Sequence, residues 1–325
     1  MNKKYLDFRT DMADERVDVY KKVHNLTEID GVEVISNTDN GVITTTVNVL
    51  NENGEKAVMK KKGKYVTMEI KDINYLEEKD KERVGDLVAK QVSELIGTDN
   101  TKSIMIVGLG NIAVTPDALG PKVVKNIDIT RHLLNYAKDL VEKNTRCVSA
   151  ISPGVLGTTG IETYEIVNSV VQKIKPDMLI VIDSLASQSI HRIGNTIQLS
   201  NTGITPGEGV RNKREALDEE SLGIPVIAIG VPTVVDMATI TNEAIDKMIE
   251  STKNQVIEFG NGDIKKQDMF KIFEKFEEET RYDMIANVLN TQNYIVTPKE
   301  IDDVIDLVSR LISNGINIAI QNNNK

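Results

Sequence analysis

Cysteine occurs once in the 325 residues, tryptophan is missing, and histidine appears only three times. Each scarcity removes a class of function. A lone Cys147 cannot form an internal disulfide, and in the apolar run RCVSAIS a buried, inert thiol is the plainer expectation than a nucleophile. His24, His132 and His191 stand far apart, without the H-x-x-x-H spacing that marks a metal-binding helix. No apolar run reaches the roughly 18 residues that span a bilayer, and MNKKYLDFRTD lacks the apolar stretch of a secretory signal. The expectation is a soluble protein of a reducing cytoplasm. Aromatic residues make up only 4%, so the core must be built from Ile, Val, Leu and Met. A net charge of -10, with a pI near 5.0, disfavours direct binding to nucleic acid or to an anionic membrane.

What is present has the rhythm of an α/β protein. VITTTVNVL and KYVTMEI alternate apolar with polar residues, and Asn40-Gly41 and Asn53-Gly54 are hairpin signals, so residues 31–75 are expected to form an antiparallel β unit. In EEKDKERVGDLVAKQVSELIG, the residues Val84, Leu87, Val88, Val92, Leu95 and Ile96 share one helical face. Beyond it apolar strands and amphipathic helices alternate: SIMIVGLG, TRHLLNYAKDLVEK, CVSAIS, IETYEIVNSVVQKIK, MLIVID, PVIAIGVP, then VVDMATITNEAIDKMIE. That alternation predicts a mostly parallel sheet covered by helices on both faces, with TIQLSN as an added strand at an edge. Residues 255–325 read as a C-terminal extension: a loop over 255–266, helices near 270–290, and a last helix after Thr297-Pro298. One main domain accounts for the length.

GLGNIAVTPDALGP is the most concentrated phrase in the chain. Gly108 to Ala113 satisfies the loose dinucleotide pattern G-x-G-x-x-A after a strand, which makes a nucleotide cradle one reading. Against it, Pro116 biases Thr115 away from helical angles where the motif needs its helix, and the next strand does not end in an acid that would hold a ribose. The other reading is that Gly108, Gly110 and Asn111 shape a tight turn that presents Asp117. Asp183 closes MLIVID, at the carboxyl end of a second buried strand, so both carboxylates would face the crevice where α/β sheets bind ligands. Two carboxylates in a partly dry site cannot both ionise freely, and the resulting acid and base can hydrolyse a peptide without His or Cys. The rival is purely structural, with Asp117 capping a helix at Ala118 and Asp183 tying down a loop.

At these residues the sequence resembles the germination proteases of endospore-forming bacteria. The likeness is carried by YLDFRTDMA, VGLGN with VTPDALGP, TRH, SPGVLGTTGIET, IDSLAS, and NTGITPGEGVRNKR with GIPVIAIGVPTVVD. It implies a zymogen endopeptidase that degrades small acid-soluble spore proteins in the spore core, assembled as a homotetramer. It also implies an atypical aspartic mechanism on Asp117 and Asp183, with no cofactor. The family is in turn similar in fold to the hydrogenase-maturation endopeptidases, whose GxGN loop precedes a nickel-binding acid, so a metal-assisted variant stays open as the second reading. Substrates of the family are cut after Glu in a Thr-Glu-Phe/Ile-Ala-Ser-Glu context, and this chain carries Thr10-Asp11-Met12-Ala13-Asp14-Glu15. The resemblance thus predicts a propeptide of residues 1–11, self-cleavage between Asp11 and Met12, and a protease domain over 12–325. Without it the same stretch reads as a frayed terminus. Acid specificity calls for a cation near the pair, for which Arg214 in Asn212-Lys213-Arg214 is the candidate, while Gly203, Gly207 and Gly209 around Pro206 suit a flap or the closed edge of a zymogen.

Overall fold

The computed structural model describes residues 10–142, 144–207, 214–259, 284–285 and 294–322. Its strands are β1 (Val32–Asp39), β2 (Val42–Val49), β3 (Gly63–Ile70), β4 (Ile104–Gly108), β5 (Val148–Ile151), β6 (Met178–Ser187), β7 (Thr196–Ser200), β8 (Val226–Asp236) and β9 (Ile295–Val296). They form one sheet in the order β1-β2-β3-β7-β8-β6-β4-β5, with β9 added on β8.

That sheet is mixed, which corrects the expectation of a mostly parallel one. Only the pairs β4–β5, β4–β6 and β6–β8 are parallel. The pairs β1–β2, β2–β3, β3–β7, β7–β8 and β8–β9 run antiparallel. The cause is TIQLS, which becomes β7 and sits between β3 and β8 rather than at an edge. By bonding antiparallel on both sides it joins the amino-terminal unit to the parallel half. Residues 31–75 are therefore part of the main sheet, not an appendage.

Helices α1 (Ala13–His24), α2 (Glu52–Val58), α3 (Glu78–Ile96), α4 (Leu119–Lys125), α5 (Arg131–Tyr136), α6 (Leu156–Thr159), α7 (Thr163–Ile174), α8 (Glu219–Leu222), α9 (Met237–Phe259) and α10 (Ile301–Asn322) cover it. The turn at Asn40-Gly41 joins β1 to β2, with both residues at positive φ. Asn53-Gly54 instead lies in the first turn of α2, because the Asn51 side chain accepts from both of their N–H groups and caps a helix there. VVD, expected to open a helix, ends β8, and α9 continues through 255–259, where a loop is expected. The helices expected near 270–290 lie almost wholly outside the described residues.

Alternation along the strands divides the core. On one face Ile104, Ile106, Ile180, Ile182, Ile227 and Ile229 pack beneath α3, α4 and α10. Val84, Val88, Val92 and Ile96 make a stripe on α3 that meets the Ile-rich stripe of α10, and Gly315 lets the two helices close: a Cβ there would lie 2.5 Å from Val88 Cγ1. The opposite face carries two separate apolar patches. One gathers Met105, Val107, Leu179 and Val181 under Val167 and Val171 of α7. The other gathers Val47, Val49 and Tyr65 under Ala13 and Val17 of α1 and Ala57 and Val58 of α2. Between the patches lie the polar positions of the central strands.

Candidate active site

Asp183 and Gln198 each pair with Gly230, on opposite sides of it, so the three form one row across β6, β8 and β7. At about 4.8 Å per strand the carboxylate and the amide stand roughly 10 Å apart at their Cα atoms. Asp183 does not close its strand as expected. β6 runs on to Ser187, through a bulge between Leu185 and Ala186. What ends at this level is β4, whose last pair is Gly108 with Ile182.

Past that point the glycine loop takes over. Leu109 N–H donates to the Ile182 carbonyl, and the chain then turns through Asn111–Val114 into a single helical turn at Thr115–Asp117 before α4. The loop closes on Asp117. The Asn111 N–H donates to its carboxylate at 2.8 Å, and at Gly110, with φ near +108°, a Cβ would lie 2.0 Å from the Asp117 carbonyl oxygen. Gly108 and Gly120 pack backbone to backbone, each without room for a Cβ. The opening of this loop is thus spent on holding an acid rather than on presenting N–H groups from a helix start.

Both carboxylates are pushed up. Burial raises Asp117, against the Asn111 N–H and the positive charge of Arg214, which pull it down. Asp183 goes much further above the usual range, chiefly by burial, then by the negative charges of Asp117 and Asp11, with only the Ser184 N–H opposing. Arg214 is ion-paired to Glu162 at 3.1 Å, so the structure brings it within electrostatic reach of Asp117 as a charge already shared. Asn212, Lys213 and Gly209 lie outside the described residues. Among the described residues no three His, Cys, Asp or Glu side chains converge in a group that could hold a metal ion.

The amino-terminal segment is the largest departure from expectation. Instead of fraying, Thr10, Met12 and Ala13 are fully buried and Asp14, Glu15 and Arg16 nearly so. Asp11 N–H donates to the Ala186 carbonyl at 2.9 Å, and Ala186 N–H donates back to the Asp11 carboxylate at 2.8 Å. Gln198 bridges the next step: its Nε2 donates to the Asp11 carbonyl oxygen at 3.2 Å and its Oε1 accepts from Ala13 N–H at 2.7 Å. Arg16 donates twice to the Thr10 carbonyl. Arg192 anchors the following turn through Asp14 at 2.7 Å and Glu15 at 3.5 Å, and reaches Glu69 at 2.8 Å. Beside Asp11 opens a cavity of about 300 Å³ whose lining includes Met59, Tyr65, Leu185, Gln198 and Gly230. Gln198, Ala186 and Arg192 were not singled out in the sequence. TIQLS alternates polar with apolar residues, so nothing local sets Gln198 apart from Thr196 and Ser200.

Comparison with known proteins agrees with the motifs. The family model described as germination protease matches residues 9–262 and 258–325. A germination protease of Clostridium tetani is 46% identical over 97% of this chain and 96% of its own length. One from Clostridium perfringens is 47% identical over 97% and 95%, and one from Bacillus mycoides 40% identical over 96% and 93%. Among solved structures, the [NiFe] hydrogenase maturation protease HycI of Thermococcus kodakarensis covers 44% of this chain and 80% of its own at 22% identity and a TM-score of 0.30, a likeness too slight to build on. The residue motifs, the family match along nearly the whole chain and the identity of these relatives converge: this chain belongs to the germination protease family, and it is a peptidase.

Proposed function

We propose that the chain is an aspartic-type endopeptidase of germinating spores, made as a zymogen that cuts itself between Asp11 and Met12 and then degrades small acid-soluble spore proteins in the spore core. The observation that carries this reading is the seating of that peptide: Asp11 is held by main-chain bonds at Ala186 and is close enough to raise Asp183 by its charge.

Asp183, the more deeply buried and the more strongly raised, is the carboxyl that keeps its proton. Asp117, eased by Asn111 and Arg214, is the carboxylate. Water loses a proton to Asp117 as its oxygen bonds to the Asp11 carbonyl carbon. The bond from that carbon to the Met12 nitrogen then breaks, and the Asp183 proton passes to the nitrogen. The pair ends with one proton, on the other partner, and a proton exchange with solvent resets it. An acidic residue before the cut is recognised in part by the Ala186 N–H. Asp for Glu at this position preserves that acceptor.

The test is to incubate the full chain, alongside Asp117→Asn and Asp183→Asn, with and without a chelator, and to weigh the products by mass spectrometry. The reading expects loss of residues 1–11 from the wild type only, at a rate untouched by the chelator. General acid and base terms of this kind are worth about 10²–10⁴ each. Cleavage that survives either substitution, or a cut elsewhere, refutes it. Activity lost to the chelator moves the chemistry to a metal.

A further inference from the structure

Gln198 is buried, central in the sheet and hydrogen-bonded both to the peptide assigned above as scissile and to the one that follows it. Its Nε2 donates to the carbonyl oxygen of Asp11 and its Oε1 accepts from the N–H of Ala13. The amide can face only one way. Flipped, its oxygen would meet the Asp11 carbonyl and its NH₂ would meet the Ala13 N–H, two repulsive contacts in place of two bonds. The side chain is also short of freedom, because β7 is flanked on both sides: Gln198 pairs with Thr67 of β3 and with Gly230 of β8. Gly230, lacking a Cβ, keeps the position between Gln198 and Asp183 open enough for the Leu185 side chain, which also lines the cavity beside Asp11.

We infer that Gln198 is a catalytic residue of this protease: its side-chain amide holds the oxygen of the scissile carbonyl while Asp183, across Gly230 in the same row, serves the other side of the peptide. The inference rests on the proposed cut between Asp11 and Met12. When water adds to the carbonyl carbon, the oxygen gains negative charge, and a fixed N–H donor aimed at it stabilises that state more than the neutral ground state. The bonds made and broken are those of the hydrolysis already described. Gln198 exchanges no proton, which leaves the Asp183 proton for the departing Met12 nitrogen. The second bond, to Ala13 N–H, fixes the register by gripping the chain two residues past the carbonyl.

The experiment compares self-cleavage of the full chain in the wild type, Gln198→Met and Gln198→Glu from pH 5 to 8, with the melting temperature of each protein measured alongside. Methionine keeps the volume and loses both hydrogen bonds, and the expected rate falls by about 10²–10³-fold, the loss seen when one such donor is removed. Glutamate is the sharper probe. Ionised, it sets a second negative charge against the developing oxyanion. Protonated, it again offers one acceptor to Ala13 and one donor to Asp11. Its rate relative to wild type should therefore climb as the pH falls. The charged neighbours along the same wall, Asp11, Glu55, Lys60, Lys61 and Asp218, are common to both proteins and cancel in that ratio. A residue that only braced the segment would lower the melting temperature of Gln198→Glu in step with its rate at each pH, whereas the role inferred here lowers the rate with little change in melting temperature. Wild-type self-cleavage at Asp11 with Gln198→Met or a folded Gln198→Glu keeping pace at all pH values overturns the role of Gln198 alone. A wild-type chain that stays whole, or is cut elsewhere, overturns the substrate reading and this role with it.

Discussion

Glu15 offers a perturbation whose size follows from its surroundings. Its carboxylate is buried under the first turn of α1, where it accepts from the Thr10 hydroxyl and from Gln188 N–H and meets Arg192 at 3.5 Å. Burial outweighs those favourable partners and Asp14 adds to it, so the group is raised from 4.5 to about 7. Between those values the folded chain holds a proton that the unfolded chain has released. Stability from this group is therefore complete below about pH 4.5, declines as the pH climbs, and is lost by the time it passes about 7. At about 1.4 kcal/mol for each pH unit between the two, the decline comes to roughly 3 kcal/mol. Glu15→Gln removes the titration while keeping an acceptor for Gln188 N–H. Urea unfolding of both proteins, each carrying Asp117→Asn so that neither processes itself, would cancel every other titrating group in the difference. The expected difference opens in favour of Glu15→Gln by roughly 3 kcal/mol between pH 4.5 and 7 and is constant above that. A difference that stays flat from pH 5 to 8 would show that Glu15 is ionised in the fold and that the ion pair with Arg192, not burial, governs this turn.

Gly110→Ala should abolish self-cleavage and cost about 1–3 kcal/mol of stability, since it demands φ near +108° and a Cβ 2.0 Å from the Asp117 carbonyl oxygen; wild-type rates from this variant would refute the loop as the mount of Asp117. Arg214→Ala should move the acid limb of the self-cleavage rate to higher pH, because Arg214 lowers Asp117 and its loss lets burial act unopposed by that charge. A profile that does not move would restrict Arg214 to its ion pair with Glu162.

Much of this architecture is visible in the chain before folding, for identifiable reasons. Apolar strands and amphipathic helices mark themselves by their own periods, and so β4, β6, β8, α3 and α7 fall where the pattern places them. Strand direction does not mark itself. TIQLS has the same local character whether it closes an edge or bridges two halves, and its place between β3 and β8 is set by partners 131 positions earlier in one case, Thr67 with Gln198, and 32 later in the other, Gln198 with Gly230. Asn53-Gly54 misleads for the opposite reason, since a side-chain cap two residues before it overrides the turn preference of the dipeptide.

The candidate site divides along the same line. Asp117 and Asp183 stand out because an ionisable residue inside an apolar strand or just past a glycine turn is costly unless it is used. Ala186 contributes through its main chain, and Gln198 and Arg192 through contacts with residues near the amino end, none of which leaves a local trace. On the proposed reading, those contacts also explain why the segment departs where it does from the substrate pattern that the resemblance implies. Where a substrate would carry Ser, the chain carries Asp14, which pairs with Arg192 at 2.7 Å and receives the Thr67 hydroxyl. Where the substrate has Glu, Glu15 is kept and shares the same guanidinium. On the proposed reading a tethered segment needs no affinity to arrive, so added grip after the cut serves a different end: it retains Met12 to Arg16 as the first turn of α1 once residues 1–11 leave. The residues before the cut, Thr10 and Asp11, are held mostly by main-chain groups of Ala186 and by Gln198 and Arg16. They are the part that a substrate must replace, and their partners are correspondingly indifferent to which chain supplies the peptide.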